Sequence, residues 1–218
     1  MRPISPVVYI VLFATFLGLG QNRDMTENEM AVVYFFETTD RTWISSSYVA
    51  LYDGQEPIGM IASAHYVRHE CPPGEHLFYS ESDENKSFVE ANLLAGKVYL
   101  IEVDIRLGGL SYIPSWGPYT NKAHMKPVNP KQKIFDIEQY RNVLNKKRTK
   151  HFYWESDMMN KAFLKSAEKN KSVKYQKILN KYYKKKEKEK VEVLYPQWHI
   201  ESETILLESL ENDIEETS

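Results

Sequence analysis

Val98-Tyr99-Leu100-Ile101-Glu102-Val103-Asp104-Ile105 is the stretch that decides the fold class, because β-branched, aromatic and alternating residues favour a strand along it. Val98 and Leu100 share one face of the predicted strand. An irregularity at Leu100-Ile101 shifts the alternation, and Val103 and Ile105 continue it on the other face. Runs of this kind recur, separated by turn residues about every 8 to 12 positions. They are Ala31–Glu37, Ser47–Tyr52, Pro57–Ile61, His65–Glu70, Glu75–Ser80, Ser87–Leu94 and Lys97–Arg106. This spacing predicts an all-β sandwich or barrel.

Turn residues separate the predicted strands. Asp53-Gly54 predicts a hairpin, because glycine tolerates the positive φ of a tight turn. Pro73 and Gly74 form a corner at a sheet end, and Gly96 forms the next one. Residues 107–133 contain three glycines and four prolines, which predicts an irregular segment after the last strand, with room for one more edge strand. We therefore expect a mainly β domain over residues 31–133, an immunoglobulin-like antiparallel sandwich with one solvated face on its sheets.

Four segments of this region resemble a known family. They are Ala31-Val32-Val33-Tyr34-Phe35-Phe36, Tyr52-Asp53-Gly54-Gln55-Glu56-Pro57-Ile58-Gly59, Pro73-Gly74-Glu75-His76 and Leu94-Ala95-Gly96-Lys97-Val98-Tyr99. Their order and spacing resemble the bacterial envelope domains catalogued as domain of unknown function 2846, over residues 30–107. The resemblance implies a small exported β-sandwich protein without an assigned reaction. The chain departs from the lipoprotein members because no cysteine follows its apolar N-terminal run.

The N-terminus has the layout of a secretory signal. Arg2 precedes an apolar run from Val7 to Gly20, which closes with the small residues Gly18 and Gly20. The run is about 14 residues long, whereas a membrane span needs about 20. We therefore predict a signal peptide at residues 1–20, a linker at 21–30, and a secreted or periplasmic protein. An uncleaved membrane anchor and a buried first helix are the alternatives.

Composition divides the rest of the chain. The 218 residues are 42 % hydrophobic and 27 % charged, which is enough apolar material for a packed core. Residues 141–190 carry 17 lysines and arginines against five acids, and residues 191–218 carry eight acids and no lysine or arginine. Apolar spacing predicts helices in both parts. We expect a Lys-rich helical extension at residues 134–190 and an acidic tail with a short helix at 191–218, whose opposite charges either screen each other or bind separate partners.

The lysine run is the strongest signal for a binding partner. Its candidate residues are Lys181, Lys184, Lys185, Lys186, Lys188 and Lys190. Lysines near an anionic surface attract it, and the neighbouring tyrosines suit lipid headgroups. We predict an anionic envelope surface or another protein as the partner, with peripheral membrane association at most if the signal is cleaved. A merely solvated helix is the alternative, and export disfavours nucleic acid.

Side chains able to bind a metal gather at one corner. His65, His69, Cys71 and His76 offer imidazole and thiol ligands, and His69 and Cys71 share one strand face. Three such groups, His69, Cys71 and His76, could hold copper or zinc, but scattered histidines are common on sheet surfaces and the sequence assigns no supporting shell, so we predict no metal site. Cys71 is the only cysteine, which excludes an intrachain disulfide and any site built from several cysteines, and we expect it to be buried.

Motifs of known enzymes are missing from the chain. It contains no nucleophile elbow, zinc-protease helix motif, phosphate loop or dinucleotide-binding glycine pattern. We predict no catalytic residue and no cofactor, and we interpret the protein as a non-catalytic exported interaction module. A small hydrolase or metal-dependent enzyme using the His65/His69/Cys71/His76 corner is one alternative, and a secreted host-directed factor is another.

Overall fold

Two β-sheets lie at the centre of the structure, a computed structural model that describes residues 30–38, 48–62, 65–107, 120–146, 161, 163–165 and 171–207. The strands are β1 (Ala31–Phe36), β2 (Val49–Asp53), β3 (Glu56–Ile61), β4 (Tyr66–Cys71), β5 (Gly74–Glu81), β6 (Lys86–Leu93), β7 (Val98–Leu107), β8 (Asn121–Pro127) and β9 (Glu192–Leu194). The helices are α1 (Ile137–Lys146), α2 (Lys171–Lys186) and α3 (Glu203–Leu207). The predicted signal peptide and residues 21–29 of the predicted linker lie outside the described residues. Within the described ranges, no helix combines the length and apolar character that crossing a membrane requires.

The mainly β prediction is confirmed by two stacked sheets. One has the strand order β4-β1-β7-β8, and the other has the order β3-β2-β5-β6-β9. Each predicted strand is present, with ends that differ by at most two residues from the predicted runs. The exit segment after β7 contains β8, which is an edge strand of the first sheet. Local apolar patterning was therefore sufficient to find the strands.

The prediction of purely antiparallel sheets is wrong. Strand β1 pairs in parallel with β7, where Val32 lies opposite Val98. Strand β9 also pairs in parallel with β6, where Val89 lies opposite Glu192. Parallel neighbours need a long crossover between them, and here the intervening chain visits the other sheet before it returns. Alternation within one strand carries no information about the direction of its neighbour.

The expected solvated face is also missing from strand β1, because helices cover it. All six residues of β1 are buried. Val33 and Phe35 pack between the sheets, whereas Tyr34 and Phe36 pack in a second apolar cluster that includes Tyr140 of α1 and Leu206 of α3. The first sheet is thus buried on both sides along this strand.

Helix α2 covers the outer face of the second sheet. Ile178 is 1 % exposed and Tyr182 is 8 % exposed, and both belong to the main apolar cluster. The ring of Tyr182 lies 5.7 Å from that of Phe88 on β6, centroid to centroid. Helix α2, which lies beyond residue 133, therefore packs directly against the second sheet.

Three of the predicted turn glycines have positive φ, as the sequence led us to expect. Gly54 lies in the β2–β3 hairpin with φ +55°, Gly74 has φ +123°, and Gly96 has φ +66°. The corner at Pro73 and Gly74 carries the chain from β4 in the first sheet to β5 in the second. The chain reversal between the two sheets thus depends on a backbone conformation that residues with a side chain rarely adopt.

Substitution by asparagine is expected to lower the free energy of unfolding more at Gly74 than at Gly96. A Cβ at Gly74 would meet nothing within 4 Å, so backbone strain alone sets the cost there. The φ of Gly74, +123°, lies outside the left-handed region that asparagine tolerates, whereas the φ of Gly96, +66°, lies within it. We expect Gly74→Asn to lower the free energy of unfolding by about 1–3 kcal/mol and Gly96→Asn by less than about 1 kcal/mol. Urea unfolding of the two variants measures the difference, and equal costs would contradict it.

Candidate functional site

A polar cluster lies between the two sheets at one end of the apolar core. His69 and Cys71 occupy alternate positions of β4, opposite Val33 and Ala31, whose side chains face the inter-sheet core. Asp53 ends β2 in the other sheet, and His76 lies on β5 just after the Pro73-Gly74 corner. The cluster therefore joins side chains from both sheets.

The carboxylate of Asp53 lies at the centre of the cluster. His76 Nδ1 is 2.7 Å from Asp53 Oδ2, and His69 Nε2 is 3.4 Å from the same oxygen. One ligand atom from each of Asp53, Cys71 and His76 falls within a group whose members are all within 4.8 Å of one another. The Cys71 thiol also donates a long hydrogen bond, 3.9 Å, to the carbonyl of Ala31.

An aromatic ring forms the inner wall of the cluster. The ring of His76 stacks on Phe78 at a centroid distance of 5.4 Å, and the ring of His69 meets the same side chain edge-on at 6.2 Å. Phe78 is fully buried. The two imidazoles are therefore held in fixed orientations by packing as well as by hydrogen bonds.

Burial and mutual contact change the pKa values of all four groups. Burial opposes ionisation of Asp53, but hydrogen bonds from His69 and His76 outweigh it and lower the pKa of that carboxyl to about 2. Burial likewise opposes the charged form of His69, yet contacts with Asp53 and Cys71 raise its pKa to about 9. Hydrogen bonds to Asp53 and Cys71 raise the pKa of His76 to about 10. Burial raises the pKa of the Cys71 thiol, but the two histidines together bring it below its ordinary value. The cluster thus favours a carboxylate and promotes a thiolate.

Three of the four residues predicted for this corner come together in the structure. His69, Cys71 and His76 lie in the cluster, whereas His65 lies before the start of β4, about 13 Å along the strand from His69. The backbone carbonyl of His65 accepts a hydrogen bond from the amide of Glu37. Sequence reasoning missed Asp53 as a ligand candidate and assigned it to the hairpin turn. Only the pairing of β2 with β5, which sets Asp53 opposite Phe78, brings this carboxylate to the histidines.

A groove of about 710 Å³ opens beside the cluster. Asp53 and His76 line it, together with the tyrosines Tyr175 and Tyr182 of α2 and with Tyr195, which follows β9. Cys71 is 2 % exposed. Small solutes thus have a path to Asp53 and His76 from the groove, with Cys71 behind them.

The candidate lysines of α2 and the turn after it divide into two groups. Lys185 is half-buried and donates a hydrogen bond to the carbonyl of Lys86, and burial lowers its pKa. Lys186 forms an ion pair with Glu90 at 2.6 Å and donates to the hydroxyl of Tyr182. These two lysines hold the helix on the sheet. Lys186 is exposed despite these contacts, and so are the remaining members of the predicted set, Lys181, Lys184, Lys188 and Lys190.

Acids of the C-terminal tail pair with the first sheet. Glu203 accepts hydrogen bonds from Arg68, at 2.6 Å, and from the hydroxyl of Tyr34. Glu201 forms an ion pair with Lys97. These contacts place residues 200–203 of the tail on the first sheet, whereas β9 at the start of the tail pairs with β6 in the second sheet.

Comparisons with known protein families, with curated proteins and with solved structures give no match for this chain. The resemblance to domain of unknown function 2846 therefore stays a prediction. Any account of function has to come from the geometry described above.

Proposed function

We propose that the protein is a non-catalytic exported module that binds an anionic surface of the cell envelope through helix α2. The immunoglobulin-like character of the sandwich is part of the same proposal, supported by two stacked sheets of four and five strands. The observation that carries the proposal is a row of exposed lysines on a helix whose other side is anchored in the core.

The row consists of Lys177, Lys181, Lys184 and Lys188, all exposed. Their spacing of four, three and four residues keeps them on one side of a helix and the turn that follows it. Ile178 and Tyr182 bury a different side against the second sheet. Because the helix is fixed on a folded domain, its charges are presented together rather than on a flexible segment.

The lysine row makes a measurable contribution to binding an anionic surface. Each lysine near an anionic membrane contributes about 1 kcal/mol, so the row contributes several kcal/mol at low salt. Exposed charges are screened beyond about 8 Å at physiological ionic strength, so binding has to weaken as salt rises.

Export rests on the N-terminal run from Val7 to Gly20 and on the family resemblance of residues 30–107. A protein routed this way meets phospholipid headgroups and acidic polysaccharides rather than nucleic acid. The anionic partner proposed here is of that kind, and a secreted factor directed at a host surface would use the same chemistry.

Substitution of three lysines in the row is expected to weaken binding to vesicles about 100-fold at low salt, on the basis of about 1 kcal/mol for each charge. The variant is Lys177→Gln, Lys181→Gln, Lys184→Gln, and the measurement is co-sedimentation with vesicles that contain phosphatidylserine. Neutral phosphatidylcholine vesicles should bind neither protein.

The matched control changes three exposed lysines elsewhere, Lys126→Gln, Lys131→Gln and Lys133→Gln, and so removes the same net charge. We expect it to bind much as the parent does. If both triple variants lose binding equally, net charge and not the helix is responsible. If neither loses binding, the interaction has to be sought on another surface.

A further inference from the structure

We propose that Asp53, His69, Cys71 and His76 bind one Zn²⁺ ion between the two sheets. This site is distinct from the lysine row and goes beyond the proposed surface-binding function.

The donor set is the first argument. One ligand atom from each of Asp53, Cys71 and His76 lies within 4.8 Å of the other two, and His69 adds a second imidazole nitrogen 3.4 Å from the Asp53 carboxylate. Carboxylate oxygen, imidazole nitrogen and thiolate sulfur are all zinc ligands. Four protein ligands complete a tetrahedron, which is typical of structural zinc sites, whereas catalytic sites use three and keep a water in the fourth position. With His69 as the fourth ligand, the inferred ion is a structural one.

The spacing of the donor atoms is the second argument. Zinc ligands lie about 2.0–2.3 Å from the ion, so neighbouring ligand atoms in a tetrahedron are about 3.3–3.8 Å apart. The distance of 3.4 Å between His69 Nε2 and Asp53 Oδ2 falls in this range. The contact of 2.7 Å between His76 Nδ1 and Asp53 Oδ2 is a hydrogen bond. It has to open by about 0.6–1.1 Å when a cation replaces the proton.

The second nitrogen of His76 supplies an independent observation. His76 Nε2 lies 2.8 Å from the carbonyl oxygen of Pro72, to which it donates. Histidines that bind metals commonly donate their other ring N–H to a backbone carbonyl or a carboxylate, because this bond fixes the tautomer and aims the free nitrogen at the metal. Here the bond leaves Nδ1 directed at Asp53, as a zinc ligand requires.

Access and placement complete the argument. An ion can approach from the groove, because Asp53 and His76 line it. The ligands come from β2 and β5 in one sheet and from β4 in the other. A bound ion would link the two sheets at the end of the core. The competing explanation for the same cluster is a hydrogen-bonded group of side chains that binds no metal.

The test uses the full chain, stripped of metal with a chelator and dialysed against Zn²⁺. We expect one zinc per chain by elemental analysis and a thermal midpoint raised by several degrees at saturating zinc. The variants His76→Gln and Cys71→Ser should each weaken zinc binding about 100-fold or more, because each removes one of four ligands. The control is His124→Ala, a histidine outside the cluster, which should bind zinc as the parent does.

Cobalt binding provides a second measurement, which uses the unmodified protein and so does not depend on whether the variants fold. Co²⁺ occupies tetrahedral zinc sites, and coordination by the Cys71 sulfur would give a thiolate-to-cobalt charge-transfer absorption in the unmodified protein. A parent protein that takes up no zinc, or a cobalt form without the thiolate band, overturns the proposal. Full zinc retention in folded His76→Gln or Cys71→Ser overturns it as well.

Discussion

A chain that ends at Lys190 is expected to lose its cooperative unfolding transition. Removal of residues 191–218 deletes strand β9 and three buried side chains, Leu194, Ile200 and Leu206, which are 1 %, 7 % and 0 % exposed. Loss of one such side chain costs about 2–5 kcal/mol, and a domain of this kind is stable by only about 5–15 kcal/mol in total. Urea unfolding followed by circular dichroism in the near and far ultraviolet measures the effect. The result would show that the acidic tail is part of the folded unit.

Two neighbouring positions in β9 test the same contact without truncation. Leu194 is 1 % exposed, whereas Val193 is 38 % exposed on the other face of the strand. We expect Leu194→Ala to lower the free energy of unfolding by about 3 kcal/mol and Val193→Ala by less than about 1 kcal/mol. A truncated chain that unfolds cooperatively at the parent's urea midpoint would rule out this role for the tail.

Replacement of Tyr182 by alanine is expected to destabilise the protein by about 3–5 kcal/mol. The ring of Tyr182 packs on Phe88, and its hydroxyl donates a hydrogen bond to Glu90. The substitution removes the buried ring and leaves Glu90 with Lys186 as its remaining charged partner. Chemical unfolding of the full chain measures the loss.

The adjacent tyrosine is the matched control. Tyr183 is 56 % exposed, so Tyr183→Ala should change the free energy of unfolding by no more than about 0.5 kcal/mol. Equal effects at the two positions would mean that α2 does not pack on the second sheet through Tyr182. The pair also separates the anchored side of the helix from the lysine row proposed to bind surfaces.

The strands and turns could be predicted because their causes are local. The alternation around Val103 and the glycines at 74 and 96 depend on the residues themselves and on backbone sterics, which the sequence displays. The parallel pairing of β1 with β7 and the burial of Tyr34 under helices depend on long-range packing. Apolar residues on both faces of β1 were visible in Ala31–Phe36, and a run without polar residues is the signal of a strand covered on both sides.

The candidate site shows the same division. His69 and Cys71 are two positions apart on one strand, and His76 follows the next corner, so proximity could be inferred from strand geometry. Asp53 is distant in sequence, and only the register of β2 against β5 sets it beside His76. The lysine run was visible as charge, but the division between Lys185, which is docked on the sheet, and Lys184, which is exposed, follows from the orientation of α2.

The parallel pairing of β6 with β9 has a consequence for the order of folding during synthesis. Val89 pairs with Glu192, about 100 positions later in the chain. At synthesis rates of about 5–20 residues per second, β9 is made about 5–20 s after β6. Non-local pairs of this kind slow folding, because the chain loses entropy when it closes a long loop before any contact compensates. The second sheet is therefore completed only after residues 192–194 have been made, and until then β6 presents an open edge on which another chain can pair.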